Sequence, residues 1–405
     1  MELHSSPKRY VFDQSKSAVP EETVKKALSA LKKLPGLEGI SVSEEISGIP
    51  SYLHTLVSGK GISTCGKGLV PEQSRASAVM EFCERYSWVN FDIKNASGYT
   101  EASYDEIKAS KVRTVKEDYF LCNFDGINNK YPLLKKIRQI PMKWIKGYSL
   151  THNEDFYYPV RWHNNIFGSN GLAAGNTMEE AIVQAMCEVI ERENVYKFVV
   201  KKELAEDIDI ASIDHPAAVN ALKDASAEGI EFVIKDVAYD LTVPSFIAYG
   251  TNPKYKDTLL HKGVGHGTYL EPRQAVVRAL SEYFQAFSLL YDDIKKRGFD
   301  LEAEPDRHYG FIVTYLHDIF HKARTTKPLG SIKDISADDF RDEVLSMVDI
   351  LRRKGHETVV INKTHPLLGV PVVRVFVPGF RSVIVSETRD PQIFILAAQK
   401  EAMAG

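Results

Sequence analysis

Two stretches of the chain set glutamates three residues apart and follow them with an arginine: Glu81, Glu84 and Arg85, and again Glu188, Glu191 and Arg192. Residues i, i+3 and i+4 share one face of a helix. Glutamates so placed repel each other unless something cationic lies between them. Four converging carboxylates suit a hard cation such as magnesium, which takes oxygen ligands and commonly bridges to phosphates. Each pair follows a glycine-containing turn, Gly66-Lys67-Gly68 in one case and Gly168 to Thr177 in the other. A helix N-terminus preceded by glycines is a ready anion site. Arg85, Arg192, Arg278 and Lys67 are available to neutralise phosphate oxygens. Together these residues read as a site for a nucleoside triphosphate with metal. It is not a standard one. Neither GxxxxGK(S/T) nor GxGxxG after a strand occurs, and GVGHG at 263–267 is a weak signal alone.

Simpler roles exist for the same residues. Glu81 with Arg85, and Glu188 with Arg192, are spaced as ordinary helix salt bridges, worth a few tenths of a kcal/mol. Thr177 and Glu180 have the spacing of a capping box. What one helix leaves open, repetition narrows. Residues 66–85, 173–192 and 267–286 resemble one another as loop-helix units, aligned on Glu81, Glu188 and Glu282. Alanines stand three residues before, at Ala78, Ala185 and Ala279, and Glu84, Glu191 and Gln285 three residues after. Gly68 and Gly175 share an offset, where the third unit has Tyr269. In the second unit Glu180, Gln184, Glu188, Glu191 and Arg192 make a polar stripe, and Ile182, Ala185, Met186, Val189 and Ile190 an apolar one. Ser77, Glu81, Glu84 and Arg85, and then Arg278, Glu282 and Gln285, repeat the polar stripe.

The elements that must position these stripes are mixed. The patterns predict helices over 21–35, 72–89, 178–200, 216–228, 272–296 and 336–354. They predict strands over 51–58, 61–65, 156–162, 230–237, 243–250, 357–362, 370–377 and 381–385, with glycine-rich loops at 168–177 and 263–267. This is an α/β chain (mixed α+β) with no evident boundary, so one domain is expected over 1–405. The 405 residues are 44% hydrophobic and 26% charged, with a net charge of −3. That balance argues against a broad nucleic-acid surface, and no run is long enough to span a membrane. The N-terminus has no signal-peptide core, and Cys65, Cys83, Cys122 and Cys187 form no CxxC or zinc spacing. Free thiols and a cytoplasmic location are expected.

These same motifs carry a family likeness. Ser77, Glu81, Glu84 and Arg85, then SNGLAAGNTMEEA followed by ExxER, resemble the signature of the YcaO family. The lead-in at 20–52, the GKG turn and GVPVVRVFVPG at 369–379 fit as well, so the likeness runs from about residue 16 to 385. It implies β-sheets packed with helices around an ATP cleft, and a chemistry in which ATP and Mg2+ activate a peptide backbone amide. A nucleophile adds to the amide carbon, the oxygen is phosphorylated, and phosphate leaves. By motif position, Glu81, Glu84, Glu188 and Glu191 would hold magnesium. Ser77, Arg85, Asn176, Glu180, Arg192 and Arg278 would contact the nucleotide, and Lys16 and Thr23 would match two N-terminal contacts. Ala173 stands where some members carry a nucleotide-binding serine, with Ser169 the candidate replacement. His163, His261 and His266 lie near the glycine loops and are left unassigned.

The nucleophile sets the product: a neighbouring Cys or Ser gives an azoline, external sulfide a thioamide, an amine an amidine. Azoline-forming members typically end in a proline-rich tail, whereas this chain ends QKEAMAG. It is most similar to thioamide-forming members that act with a TfuA-like partner, whose target in methanogens is a glycine of methyl-coenzyme M reductase. The expectation is therefore a cytoplasmic homodimer that thioamidates a peptide or protein, with a separate sulfur donor. A cyclodehydratase working with a partner is the alternative within the class. A non-catalytic peptide-binding scaffold and a metal-carboxylate hydrolase are the alternatives outside it.

Overall fold

The computed structural model describes residues 1–46, 53–124, 127, 129–255, 260–297, 320, 325–383, 395–396 and 399–400. The first two residues of the strand expected at 51–58, the end of the one expected at 381–385, and most of QKEAMAG lie outside the described residues.

An N-terminal strap leads into α1 (Pro20–Leu31), which opens on a proline and carries Glu21 and Glu22 in its first turn. It stops at Leu31, short of the expected Pro35. Then come β1 (Ser41–Ile46), β2 (Leu53–Gly59), β3 (Ile62–Gly66), α2 (Pro71–Val89), β4 (Thr100–Ala102), α3 (Tyr104–Ala109) and α4 (Tyr131–Ile137). β5 (Met142–Ser149), β6 (Glu154–Pro159), α5 (Val160–Phe167), β7 (Leu172–Ala174) and α6 (Met178–Val199) follow. The chain continues through β8 (Glu206–Ile208), α7 (Pro216–Ala227), β9 (Glu231–Asp236), β10 (Ser245–Thr251), β11 (Lys262–Thr268) and α8 (Pro272–Arg297). It closes with β12 (Thr326–Lys327), α9 (Phe340–Arg353), β13 (Val359–Asn362) and β14 (Val372–Phe376). Among the described residues no helix is long and apolar enough to cross a membrane.

The strands form three sheets: β1-β2-β3; β11-β10-β9-β8-β12; and β4-β5-β13-β14-β7 with β6 also on β5. All pairings are antiparallel except β12 on β8. α2 packs on the first sheet, α8 on the second, and α6 lies between the second and third. The apolar stripe read on α6 is buried throughout, at Ile182, Ala185, Met186, Val189 and Ile190.

Four expectations are corrected. Residues 160–162 open a helix rather than close a strand. Buried Val160, Trp162, His163, Ile166 and Phe167 follow the helical period, which the preceding alternation of 154–159 hides. The loop expected over 168–177 contains the short strand β7, paired with β14. The glycine stretch 263–267 is no loop but most of β11. Its glycines recur every second residue, on one face of the strand, and α8 lies directly against that face. A Cβ added at Gly263 would meet the Tyr283 ring, at Gly265 the Ala279 carbonyl, and at Gly267 the Ala275 carbonyl. Residues 381–383, for their part, are not strand.

The same close approach recurs in the first unit, where a Cβ on Gly66 would meet Ser74 and Ala78. Those residues align with Ala275 and Ala279. Gly68 likewise meets the Ser74 amide as Gly175 meets that of Ala181. The sequence repeat is thus a repeated strand-loop-helix packing. Gly267→Ala is expected to cost about 2–3 kcal/mol, because rigid backbone on both sides has no room to yield. Gly330→Ala, with nothing within 4 Å of the added carbon, should be near neutral. Urea denaturation of the two variants checks this.

Candidate functional site

The polar stripes of α2, α6 and α8 face one cleft of about 460 Å³. Aligned positions line it in rows: Ser77, Gln184 and Arg278; Glu81, Glu188 and Glu282; Glu84, Glu191 and Gln285; Arg85, Arg192 and Ala286. Lys16, Thr23, Asn176 and Glu180 close one end. Every residue expected to hold nucleotide or magnesium therefore borders this cleft. Ser169 and Ala173 do not. Ala173 is buried in β7, paired with Val373, so Ser169 does not supply the missing hydroxyl.

The nucleotide end is organised from α6. Thr177 caps the helix by accepting from the Glu180 amide at 3.1 Å. The expected capping box is only half made. The Glu180 carboxylate turns away, accepting from the Ser17 amide at 2.9 Å, the Ser17 hydroxyl at 2.5 Å and Asn176 Nδ2 at 3.2 Å. Thr23 donates to Asn176 Oδ1 at 3.0 Å. Arg278 lies with its guanidinium carbon 4.4 Å from the Tyr269 ring centre, and its Nε is buried without a partner. Burial lowers the pKa of Lys16, Glu180 opposes the shift and Arg278 adds to it.

The carboxylate end divides electrostatically. Arg85 reaches Glu81 and Glu84, each at 3.3 Å. Arg192 pairs with Glu191 at 3.7 Å rather than with Glu188 as expected. Burial raises Glu84 well above the usual range; Arg85 and Arg374 pull it down, and Glu188 and Glu81 push it up. Burial and Glu191 raise Glu188 to about 7 against Arg192, Arg85 and Lys67. Burial is thus the main cause of the raised values on the α2–α6 side, where four glutamates share the two arginines Arg85 and Arg192. On α8 the balance reverses. Burial would raise Glu282, but Lys67 at 2.5 Å and His266 at 3.0 Å hold it well below the usual range.

Hard oxygen donors suit magnesium, and Glu81, Glu84, Glu188 and Glu191 are such donors on the α2–α6 side of the cleft. Among the described residues, the His, Cys, Asp and Glu side chains whose ligand atoms already lie within 4.8 Å of one another are instead Glu191, His266 and Glu282. This grouping fits magnesium less well, because it includes a ring nitrogen and Lys67 already takes Glu282. His266 and Glu282 were visible as a loop histidine and an aligned glutamate, but nothing in the spacing marked them as neighbours. His163, by contrast, is buried away from the cleft.

A pH dependence follows. The Glu188 carboxyl has an ordinary value of 4.5 and ionises in the folded protein at about 7. Between those values the folded state binds more protons than the unfolded one, so this group's contribution falls as pH rises and is level above. Relative to Glu188→Gln, the wild type should therefore lose melting temperature from pH 4.5 to pH 7, and magnesium with ATP should restore it. A difference that is flat across this range contradicts the assignment.

Residues 65–381 match the family model described as YcaO cyclodehydratase, ATP- and Mg2+-binding. An uncharacterized protein of Methanothermobacter thermautotrophicus is 28% identical over 349 residues, covering 80% of this chain and 83% of that one. A second relative, from Rhizobium leguminosarum bv. trifolii and described as lying in the tfuA 3′ region, is 25% identical over 368 residues, covering 84% and 82%. The fold matches a heterocyclase solved with substrate and cofactor at TM-score 0.75 and 22% identity, covering 94% of this chain and 54% of that one. This chain thus spans about half that heterocyclase. It also matches YcaO from Methanopyrus kandleri bound with AMPPCP and Mg2+, at TM-score 0.67 and 17% identity, covering 94% and 96%.

Proposed function

The chain belongs to the YcaO family, and from that premise we propose that it uses ATP and magnesium to convert a peptide backbone amide to a thioamide, with sulfide as nucleophile. The observation that carries this reading is the convergence of three aligned helix stripes on one cleft, where four glutamates of α2 and α6 share the two arginines Arg85 and Arg192. Hydrosulfide adds to the amide carbon. The resulting oxyanion attacks the γ-phosphorus, ADP departs, and breaking of the carbon–oxygen bond releases phosphate and leaves carbon double-bonded to sulfur. The products are the thioamide, ADP and hydrogen phosphate, and the hydrosulfide proton leaves on the phosphate.

Glu81, Glu84, Glu188 and Glu191 would hold magnesium, which when bound draws charge from the phosphate oxygens. Arg85, Arg192 and Arg278 would meet the charge that develops as the phosphoryl group moves. Ser77, Lys16, Thr23, Asn176 and Glu180 would position the nucleotide. The relative beside tfuA supports a TfuA-like partner, with a separate sulfur donor. A protein substrate such as methyl-coenzyme M reductase, a homodimer and a cytoplasmic setting complete this reading.

The heterocyclase likeness favours a second outcome from the same activation, with a Cys, Ser or Thr of the peptide as nucleophile. One experiment separates them. The protein is incubated with magnesium-ATP, sulfide and a glycine-containing peptide of methyl-coenzyme M reductase free of Cys, Ser and Thr. A mass gain equal to sulfur minus oxygen is expected. An unchanged mass here, with loss of water from a Cys-containing peptide, overturns thioamidation in favour of azoline formation.

A further inference from the structure

Behind the cleft, the six-stranded sheet buries cations that no carboxylate of the described residues meets in a salt bridge, although Arg374 is near enough to Glu84 to lower its pKa. Arg374 on β14 pairs with Ile361 on β13, and Lys363 lies two residues beyond Ile361, on the same face of the sheet. That face carries an aromatic core, with His163 of α5 against Tyr158 and Phe376. Arg374 is 0% exposed, Lys363 1% and His163 3%.

Each has an ordinary partner and donors left over. Arg374 Nη1 donates to the carbonyls of Gly168 and Asn170, both at 2.9 Å, shaping the turn before β7. Its Nε and Nη2 are buried with no partner. His163 Nδ1 lies 2.5 Å from the Tyr119 hydroxyl, and Nε2 is buried with no partner. The Lys363 ammonium lies 3.4 Å from the centre of the Phe91 ring, and among the described residues no carboxylate pairs with it. The three groups sense one another. After burial, Arg374 lowers the pKa of both His163 and Lys363, and Lys363 lowers His163 further.

Structural duty accounts for Nη1 of Arg374 and Nδ1 of His163, and for nothing else. A buried arginine cannot shed its proton. An unpaired buried charge costs several kcal/mol, and each unused donor about 1–3 kcal/mol more. A fold that leaves these buried nitrogens without a hydrogen-bonding partner is suited to an acceptor from outside. None of the three lines the cleft, but Arg374 adjoins its metal end, lowering the pKa of Glu84. Trp88 lies one turn beyond Glu84, with the Arg85 guanidinium 5.9 Å from its ring centre and that of Arg374 6.0 Å away.

The surroundings select the anion. Trp88, Phe91, Tyr158 and Phe376 are aromatic, and the free donors are one guanidinium edge, one amine and one imidazole nitrogen. A phosphate dianion would lose strong hydration and find too few partners. A small, weakly hydrated monoanion loses little. We propose that Arg374, Lys363 and His163 bind such an anion, and that its occupant in turnover is hydrosulfide, the nucleophile held beside the metal end of the cleft. The identity of the occupant rests on the thioamide reading above; the site itself does not.

Iodide is the probe. Crystals soaked in sodium iodide should show an anomalous peak within contact of Lys363 Nζ and the free nitrogens of Arg374 and His163. Lys363→Met, which keeps the length and drops the charge, should lose that peak. It should also raise the KM for sulfide by about tenfold or more, the loss of one charged hydrogen bond, leaving the KM for ATP unchanged. His163→Gln, expected to act in the same direction, stands in if Lys363→Met does not fold. No iodide between these residues overturns the site. Iodide bound with an unchanged KM for sulfide overturns hydrosulfide as its occupant. Iodide bound to a protein that makes no thioamide keeps the site and removes the thioamide reading.

Discussion

Replacing Glu188 and Glu191 together by glutamine will lower peptide-dependent phosphate release by on the order of 100- to 1,000-fold or more, the scale of losing preorganised charge around a transferring phosphoryl group. The same variant will not melt earlier than the wild type without nucleotide. Burial already raises the pKa of Glu188 to about 7, so a neutral amide there removes a penalty, and the Glu191 pair with Arg192 that is also lost is loose, at 3.7 Å. What it removes is the ligand: magnesium-ATP should raise the melting temperature of the wild type and leave the variant unmoved. Activity and unliganded stability thus move independently. A variant that loses both would make these glutamates structural, and one that keeps activity would place the metal elsewhere. A wild type that magnesium-ATP does not stabilise would favour a scaffold. Phosphate release without ATP-dependent peptide modification would favour a hydrolase.

Lys8→Met will destabilise the protein by about 3–5 kcal/mol, the cost of stranding a buried charge by removing its partner. The Lys8 ammonium lies 2.6 Å from Glu343 on α9, with side chains 6% and 0% exposed. Tyr269 donates to the other Glu343 oxygen at 2.9 Å. Around this pair the strap is sewn to two helix starts. The His4 amide donates to Glu179 at 2.8 Å, and the Ser6 amide to Asp339 at 2.9 Å. The strap then delivers Lys16 to the cleft and Ser17 to Glu180. The KM for ATP should therefore rise about tenfold or more with the stability loss. Lys8→Met with Glu343→Gln should recover part of the stability, because no buried charge is then left alone. Urea denaturation and ATP titration of the single and double variants check this. A cost below about 1 kcal/mol for the single variant would mean that water already reaches Glu343.

The sequence exposed what repeats and hid what does not. Helix positions i, i+3 and i+4 are local, so the stripes at Glu81–Arg85 and Glu188–Arg192 were legible and line the cleft as expected. The third stripe aligned too, but its partners were illegible. Lys67 and His266 meet Glu282 from two different strand ends, 215 and 16 residues away, and no spacing rule spans that. Gly263, Gly265 and Gly267 pointed to a loop because glycine favours turns. Their period of two, the sign of a strand with a helix against one face, was the better signal. His163 showed the opposite failure. Its place near a glycine loop grouped it with His261 and His266, whereas the helical period of 160–167 carries it into the aromatic core. The basic cluster was out of reach for the same reason as the partners of Glu282: Arg374 sat inside a motif given no role of its own, and His163 comes from a helix far away in the chain.

The central claim is that ATP in this cleft phosphorylates the amide oxygen itself. Its most direct test is a peptide whose target carbonyl carries oxygen-18. After turnover with magnesium-ATP and sulfide, released phosphate is weighed by mass spectrometry. One labelled oxygen per phosphate, matched to one modified amide, is the predicted result. Unlabelled phosphate, with the heavy oxygen still in the peptide or lost to water, would show that ATP is spent on something other than the amide and would contradict the account.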